Sequence, residues 1–533
     1  MLALKKHLRA ALLTSLLLVT GLSACDVKAP VDPEKVIIFG KSKDAITLDP
    51  GDTTDGESSA VVVNLFEPLL RFQREKTLVE PALAESWEIS EDKLTWTFKL
   101  REGVTFHDGT PLNAEAVKFN YDRQKDDDNP WRFKGKFEYW HLFFDSVASI
   151  EAPDEYTVVF KLKRPDATFA TNLALFNMGI SSPTAIKKYG ENYFKNPVGT
   201  GPYQLKRWVR NEKIVLKRFD NYWGEVPQIE MLIYKPVPEN AVRLLELESH
   251  SIDVLDGINP DDVPRIRKNE ELTLLTQPGL NVGYLAMNAL KPPFDNLKVR
   301  QAINHAVNKK ELVNAFFADG TLGEPAVNPM PSTIWGYNEN IEGYAYDPQK
   351  AKQLLAEAGY PDGFKTKLWA MPIARPYMPQ PQRIAEAIQA DLKKVGIETD
   401  IVSFEWGTYL DKLSNGEHDM ALGGWIGDNG DPDNFLYTLL DKNNTTKGSA
   451  ANYAFYRGEK VHDLLVKAQK VYDQSERSAL YEKAQELIHA DAPWVPLFHS
   501  TQMMATHADV KGFYLHPVGE KRFGTIHWAT KGK

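Results

Sequence analysis

Between Asp347 and Val402 the chain alternates helix and strand in a way that leaves little topological choice. Asp347-Pro348 starts a helix. The aspartate side chain accepts from free N–H groups of the first turn, and the proline ring presets φ for that turn. Leu354 and Leu355 give this helix its apolar side, and Gly359 stops it. Lys365 to Met371 then reads as a strand. A second helix carries Ile384, Ile388 and Leu392 four apart and ends at Gly396, after which Ile397 to Val402 reads as the next strand. Strands joined through a helix of this length run parallel, with a right-handed crossover. Ligands in such open sheets sit beyond the carboxyl ends of the strands.

The first half of the chain has a different character. Val36-Ile37-Ile38-Phe39 is a short apolar run ending at Gly40, read as a buried strand. Leu94 to Glu102 alternates Trp96, Phe98 and Leu100 against Thr95, Thr97, Lys99 and Arg101. Thr157 to Lys163 does the same with Val158, Phe160 and Leu162. Such alternation marks half-buried strands. Asn113 starts a helix between them, and a further amphipathic helical region spans Val461 to Ile488. With 533 residues, 43% of them hydrophobic, the chain has apolar material for several domains. The expected class is mixed α/β (α+β), antiparallel-rich in the first half and more doubly wound in the second.

The segment from Gly424 to Phe435 places Asp428, Asp431 and Asp433 and two glycines between Trp425 and Phe435. Glycine and the Asp-Pro pair read as a loop. The loop follows Met420-Ala421-Leu422, so it takes the end of a strand. Carboxylates beside an indole suit a cationic group on an organic ligand; a metal site and a solvated turn are the other readings. A calcium loop fails on spacing. Counted from Asp428, its third and twelfth positions are Gly430 and Leu439; counted from Asp431, its sixth and twelfth are Leu436 and Lys442. Asp431 and Asp433 are expected to be solvated or capping.

Other motifs fall away on inspection. Gly40-Lys41-Ser42 resembles the end of a phosphate loop, but Lys35 stands where that loop needs glycine. Gly199-Thr200-Gly201 resembles a dinucleotide turn, but position 204 is glutamine. There is no His-Glu-x-x-His and no Gly-x-Ser-x-Gly, and the twelve histidines form no close ligand pair. No catalytic residue, metal or cofactor is therefore expected. A formal charge of −9 without a dense Lys/Arg run argues against nucleic acid as partner. Arg123 and Lys125, followed at once by Asp126, Asp127 and Asp128, read as solvated surface.

The amino terminus carries an export signal: Lys5, Lys6 and Arg9, an apolar stretch from Ala10 to Leu22, then small residues. The stretch is shorter than the ~20 residues that span a bilayer. Cys25 is the only cysteine, so no intramolecular disulfide can form. Leu22-Ser23-Ala24-Cys25 resembles a lipobox, which implies cleavage after residue 24 and lipidation of Cys25. Residues 25–33 read as a tether, and loss of Lys5, Lys6 and Arg9 takes the formal charge from −9 to −12.

Several segments together resemble the peptide/nickel-type (family 5) extracellular solute-binding proteins of ABC importers. Pro81-Ala82-Leu83-Ala84-Glu85-Ser86-Trp87 is followed by Thr97 to Gly109 in the pattern of the family signature. Gly199 to Tyr203, Asn281 to Leu285 and Val299 to Ile303 resemble segments that recur in the same order. Leu368 to Tyr377, Glu405 to Leu410 and the 424–435 loop resemble the dipeptide-binding members most. The resemblance implies a bilobal, class-II-like periplasmic-binding fold. One lobe would take 34–284 plus 505–533, with a subdomain inserted at about 61–195, and the other 285–504. It implies that Asp428 holds a ligand α-ammonium and Arg375 its α-carboxylate, with Trp425 as pocket wall and Gly427 as loop backbone. The implied role is capture of short peptides for an inner-membrane ABC permease by a monomer held to the membrane only through its lipid. Haem, glutathione or an antimicrobial peptide are alternative ligands, and a secreted peptide hydrolase is an alternative of another class.

Overall fold

A computed structural model describes residues 32–529 of the chain; the leader 1–24 and Cys25 lie outside the described residues. The crossover forms as the sequence predicts. Asp347 caps the helix Pro348–Glu357 by accepting from the N–H of Lys350, and Gly359 leaves the helix with φ +91°. Strands Phe364–Trp369 and Ile397–Val402 pair in parallel and are joined through helix Pro381–Lys393. Met420–Ile426 lies parallel to Phe364–Trp369 on its other side. The carboxyl ends of all three strands therefore share one edge.

Among the described residues the largest sheet has twelve strands. Its spine is a single strand of fourteen residues, Trp494–His507. The beginning of this strand pairs with Asn281–Met287, and Thr501 to His507 pair with Leu272–Pro278. Only Gly279 and Leu280 separate those two partners. On one side of this crossing the sheet continues through Met420–Ile426, Phe364–Trp369 and Ile397–Val402. On the other it runs through Val254–Asp256, Val36–Lys41, Met231–Pro236, Lys213–Arg218 and Tyr203–Val209.

Strand periodicity decides where the cores lie. Val36 and Ile38 enter one apolar cluster and Ile37 and Phe39 another, because successive side chains leave opposite faces. Leu285 and Met287 join the first cluster, while Val282, Tyr284 and Ala286 face a third. The first cluster runs through both parts of the sheet, from Val36 to Leu368, Leu422 and Leu497. Each large apolar side chain buried there contributes about 1.5–3 kcal/mol. A further core, from Leu69 to Ile180, closes over the four-stranded antiparallel sheet Ala84–Ile89, Thr95–Leu100, Thr157–Leu162 and Val147–Asp154.

Two expectations are corrected. The region Val461 to Ile488 is two helices, Glu459–Lys470 and Gln474–Asp491, because Asp473 caps a fresh start by accepting from the N–H of Glu476. Arg123 is not solvated: it is buried and pairs with the carboxylate of Asp49, while Asp126, Asp127 and Asp128 stay exposed.

Candidate functional site

The three parallel strands each lead from the shared edge into a segment with candidate ligand chemistry. Beyond Trp369 comes Arg375, beyond Val402 comes Trp406, and beyond Ile426 comes Asp428. The Arg375 segment is a tight turn. The N–H of Arg375 donates to the carbonyl of Met378 at 3.0 Å, and the N–H of Met378 returns the bond at 2.8 Å. The turn lies flat on the sheet at two glycines. A Cβ on Gly424 would come 2.2 Å from the Tyr377 ring, and one on Gly283 would come 2.5 Å from the Tyr377 carbonyl oxygen. Tyr377 thus ties the Arg375 turn to the strand that leads, four residues past Gly424, to Asp428. The guanidinium of half-buried Arg375 lies over the Trp406 ring, 5.1 Å from its centre. No carboxylate among the described residues pairs with it.

The loop is shorter than expected. The strand continues to Ile426, with Gly423 and Gly424 giving room to Tyr284 and Tyr377, and a helix begins at Asp433, whose carboxylate suits a helix start. Residues 427–432 remain as loop. Asn434 organises it. Its Oδ1 accepts from Trp425 Nε1 and from the N–H of Asp428, both at 2.9 Å, and its amide nitrogen donates to Asp428 Oδ2 at 3.4 Å. The Tyr139 hydroxyl donates to Asp428 Oδ1 at 3.1 Å. The N–H of Gly427 is committed to the carbonyl of Leu280 at 2.7 Å. Half-buried Asp428 thus has neutral donors, and no basic side chain among the described residues pairs with it. Burial pushes its carboxyl from 3.8 up to about 7, outweighing the bonds from Tyr139 and Asn434.

Asp431 and Asp433 are buried rather than solvated, but Asp431 caps as expected: its Oδ1 accepts from the N–H of Asp433 at 3.0 Å. Asp431 is buried in a two-pronged pair with Arg477, whose terminal nitrogens lie 2.8 Å from its two carboxylate oxygens. Asp433 is buried beside it. Burial, reinforced by the Asp431 charge, drives the Asp433 carboxyl well above the usual range, and Gln469 donates to it at 3.2 Å. Water is excluded because the Leu69–Ile180 unit covers the loop. Asn429 donates to Asn172 Oδ1 at 3.0 Å, and a Cβ on Gly430 would come 2.1 Å from Thr77 Oγ1. Further along the same contact, the N–H of Ala167 donates to the carbonyl of Gln469 at 2.7 Å.

Asp428 and Arg375 are thus an acid and a base, each without a charged partner among the described residues, beyond the ends of two paired strands. Asn434 and Trp406 lay inside segments already singled out in the sequence, but their roles follow from contacts alone. Tyr139, 289 residues from Asp428, left no signal in the sequence. Among the described residues no group of three His, Cys, Asp or Glu side chains is placed to hold a metal ion, and no helix is long and apolar enough to cross a membrane.

The profile of the bacterial extracellular solute-binding proteins, family 5 (middle region), matches residues 79–447. The chain belongs to this family. This family 5 protein is 40% identical over 537 residues to the dipeptide-binding protein of Escherichia coli strain K12, across 97% of this chain and 99% of the relative. Heme-binding protein A of Haemophilus influenzae is 37% identical, across 94% of each chain. The ABC transporter-associated periplasmic binding protein DppA of Helicobacter pylori, solved in complex with peptide STSA, matches with a TM-score of 0.87 at 38% identity, across 93% of this chain and 98% of that one. The fold is accordingly the bilobal α/β periplasmic-binding fold, and the family 5 protein is a binding protein, not an enzyme.

Proposed function

We propose that this protein captures short peptides, dipeptides above all, in the periplasm and delivers them to an inner-membrane ABC permease. The observation that carries the reading is the pair Asp428 and Arg375: opposite charges, both half-buried, neither with a counter-charge among the described residues, beyond the ends of neighbouring strands. A dipeptide zwitterion supplies both complements. Its ammonium meets the Asp428 carboxylate, and its carboxylate meets the planar fork of Arg375 with charge-assisted bonds. Trp425 walls the ammonium end, and Gly427 contributes loop backbone. The dipeptide-binding relative at 40% identity supports the same ligand class. In this reading the lobes are 34–284 with 505–533 (the subdomain at about 61–195 included) and 285–504, and they close by bending at the crossings near Tyr284 and near Thr501 to His507. Closure excludes water and strengthens both pairings. Lipid on Cys25 holds the monomer at the membrane.

Calorimetry of the mature protein against a dipeptide library tests the reading. Zwitterionic dipeptides should bind, and Arg375→Ala and Asp428→Asn should each weaken them by about thirtyfold or more, as loss of one partner of a desolvated charge pair does. Absence of binding by any di- or tripeptide, or unchanged affinity in both variants, ends it. The heme-binding relative motivates a second reading, with a porphyrin against the aromatic surface around Trp406, so hemin and glutathione belong in the same titration. The anchor is tested separately, by mass spectrometry of the acyl group on Cys25.

A further inference from the structure

We propose that Trp406 is the positioning residue that holds Arg375 ready for a ligand carboxylate; this rests on the assignment of Arg375 to that carboxylate. A long arginine side chain without an ion-pair partner has many conformations, and ordering it during binding costs affinity. Here the guanidinium has no carboxylate partner among the described residues, and it lies over the Trp406 ring face, 5.1 Å from its centre. A ring face attracts the cation without consuming its N–H donors, which stay in the guanidinium plane for two-pronged recognition.

The ledge under Arg375 is itself fixed. Trp406 is the first residue of helix Trp406–Ser414, whose cap Glu405 accepts from the N–H groups of Gly407 and Thr408. Its ring stacks on Tyr409, 6.0 Å between centres and 13° between planes. Tyr409 is buried, and its hydroxyl is shared between the carbonyls of Leu422, at 2.6 Å, and Trp369, at 3.3 Å. Leu422 and Trp369 belong to the strands that lead to Asp428 and to Arg375. The Tyr409–Trp406 stack thus ties the guanidinium to the strand carrying the carboxylate.

The test is calorimetry with alanyl-leucine and its C-terminal amide, on the parent and on Trp406→Ala, Trp406→Phe and Arg375→Ala. The amide keeps the side chains and ammonium but presents no anion. Trp406→Ala should weaken the free acid about three- to thirtyfold, the span of a cation–π contact from exposed to desolvated. It should change the amide less than about twofold, and Trp406→Phe should restore most of the loss. Equal weakening of acid and amide would mean that Trp406 only lines the cleft, and no weakening of either would mean that it does not act on Arg375; both overturn the proposal. If the parent itself binds acid and amide alike, the Arg375 assignment fails, and the inference with it. Matching thermal unfolding of Trp406→Ala and the parent is expected, since Trp406 is only half-buried. A collapse of stability that lowers acid and amide binding together counts against the inference.

Discussion

Peptide binding should switch off as the pH falls through about 7, and one carboxyl should be responsible. Asp428 is raised by burial from 3.8 to about 7, and only its ionised form can receive an ammonium. Tyr139, its hydroxyl donor, is raised well above 10 by burial and by the Asp428 charge, so it remains a donor throughout. The sign follows from the direction of the shift. A raised carboxyl is ionised, and competent, above its pKa, and competence is lost below it. The ionised fraction drops about tenfold per pH unit, so affinity at about pH 6 should be about tenfold below the plateau, and at about pH 5.5 about thirtyfold below it. A peptide α-amino group titrates near 8, so affinity should decline again above about pH 8, leaving a narrow optimum. Calorimetry of alanyl-leucine in buffers of unlike ionisation enthalpy reads both quantities: the affinity, and release of nearly one proton per peptide bound at about pH 6. Asp428→Asn should lose the acid limb and keep the alkaline one. An affinity that stays within about twofold between pH 7.5 and 5.5 in the parent, with no proton release, would refute the role given to Asp428.

Two further outcomes are expected. Arg477→Met leaves Asp431 buried beside Asp433 with no counter-charge, and should cost about 3–5 kcal/mol in urea unfolding; a variant as stable as the parent would show that the pair does not hold the loop. Gly424→Ala places a methyl where the Tyr377 ring lies and 2.7 Å from the carbonyl of Val282. It should displace the Arg375 turn and lower peptide affinity about tenfold or more, within the 1–3 kcal/mol range of overpacking, and unaltered affinity would separate that turn from binding.

The regular elements were legible because their signals are local. Caps at Asn113 and Asp347, glycine stops at Gly359 and Gly396, and the alternation through Trp96, Phe98 and Leu100 each act within a few residues, and each sits where the sequence placed it. The resemblance brought Arg375 and Asp428 into view as a pair. What stayed hidden was long-range. Three aspartates in a glycine-rich run look alike by composition, yet one lacks a cation, one is locked to Arg477, and one is buried beside that pair. The difference arises from Arg477, Tyr139, Asn172 and Thr77, which reach the loop from 46 to more than 350 residues away. The same limit hid Arg123, whose partner Asp49 lies 74 residues earlier. Burial by a distant segment reverses the meaning of a charge, and no local pattern encodes it.

The fourteen-residue spine also fixes the order in which the molecule can be finished. Val254–Asp256 pairs on one side with Val36–Lys41 and on the other with residues 504–506, and among the described residues Leu272–Pro278 has only the spine as strand partner. Segments from the first half of the chain therefore wait, with ladder groups open, for one of the last strands to be synthesised. A ribosome delivering this chain from its amino terminus releases an incomplete sheet until Trp494–His507 emerges.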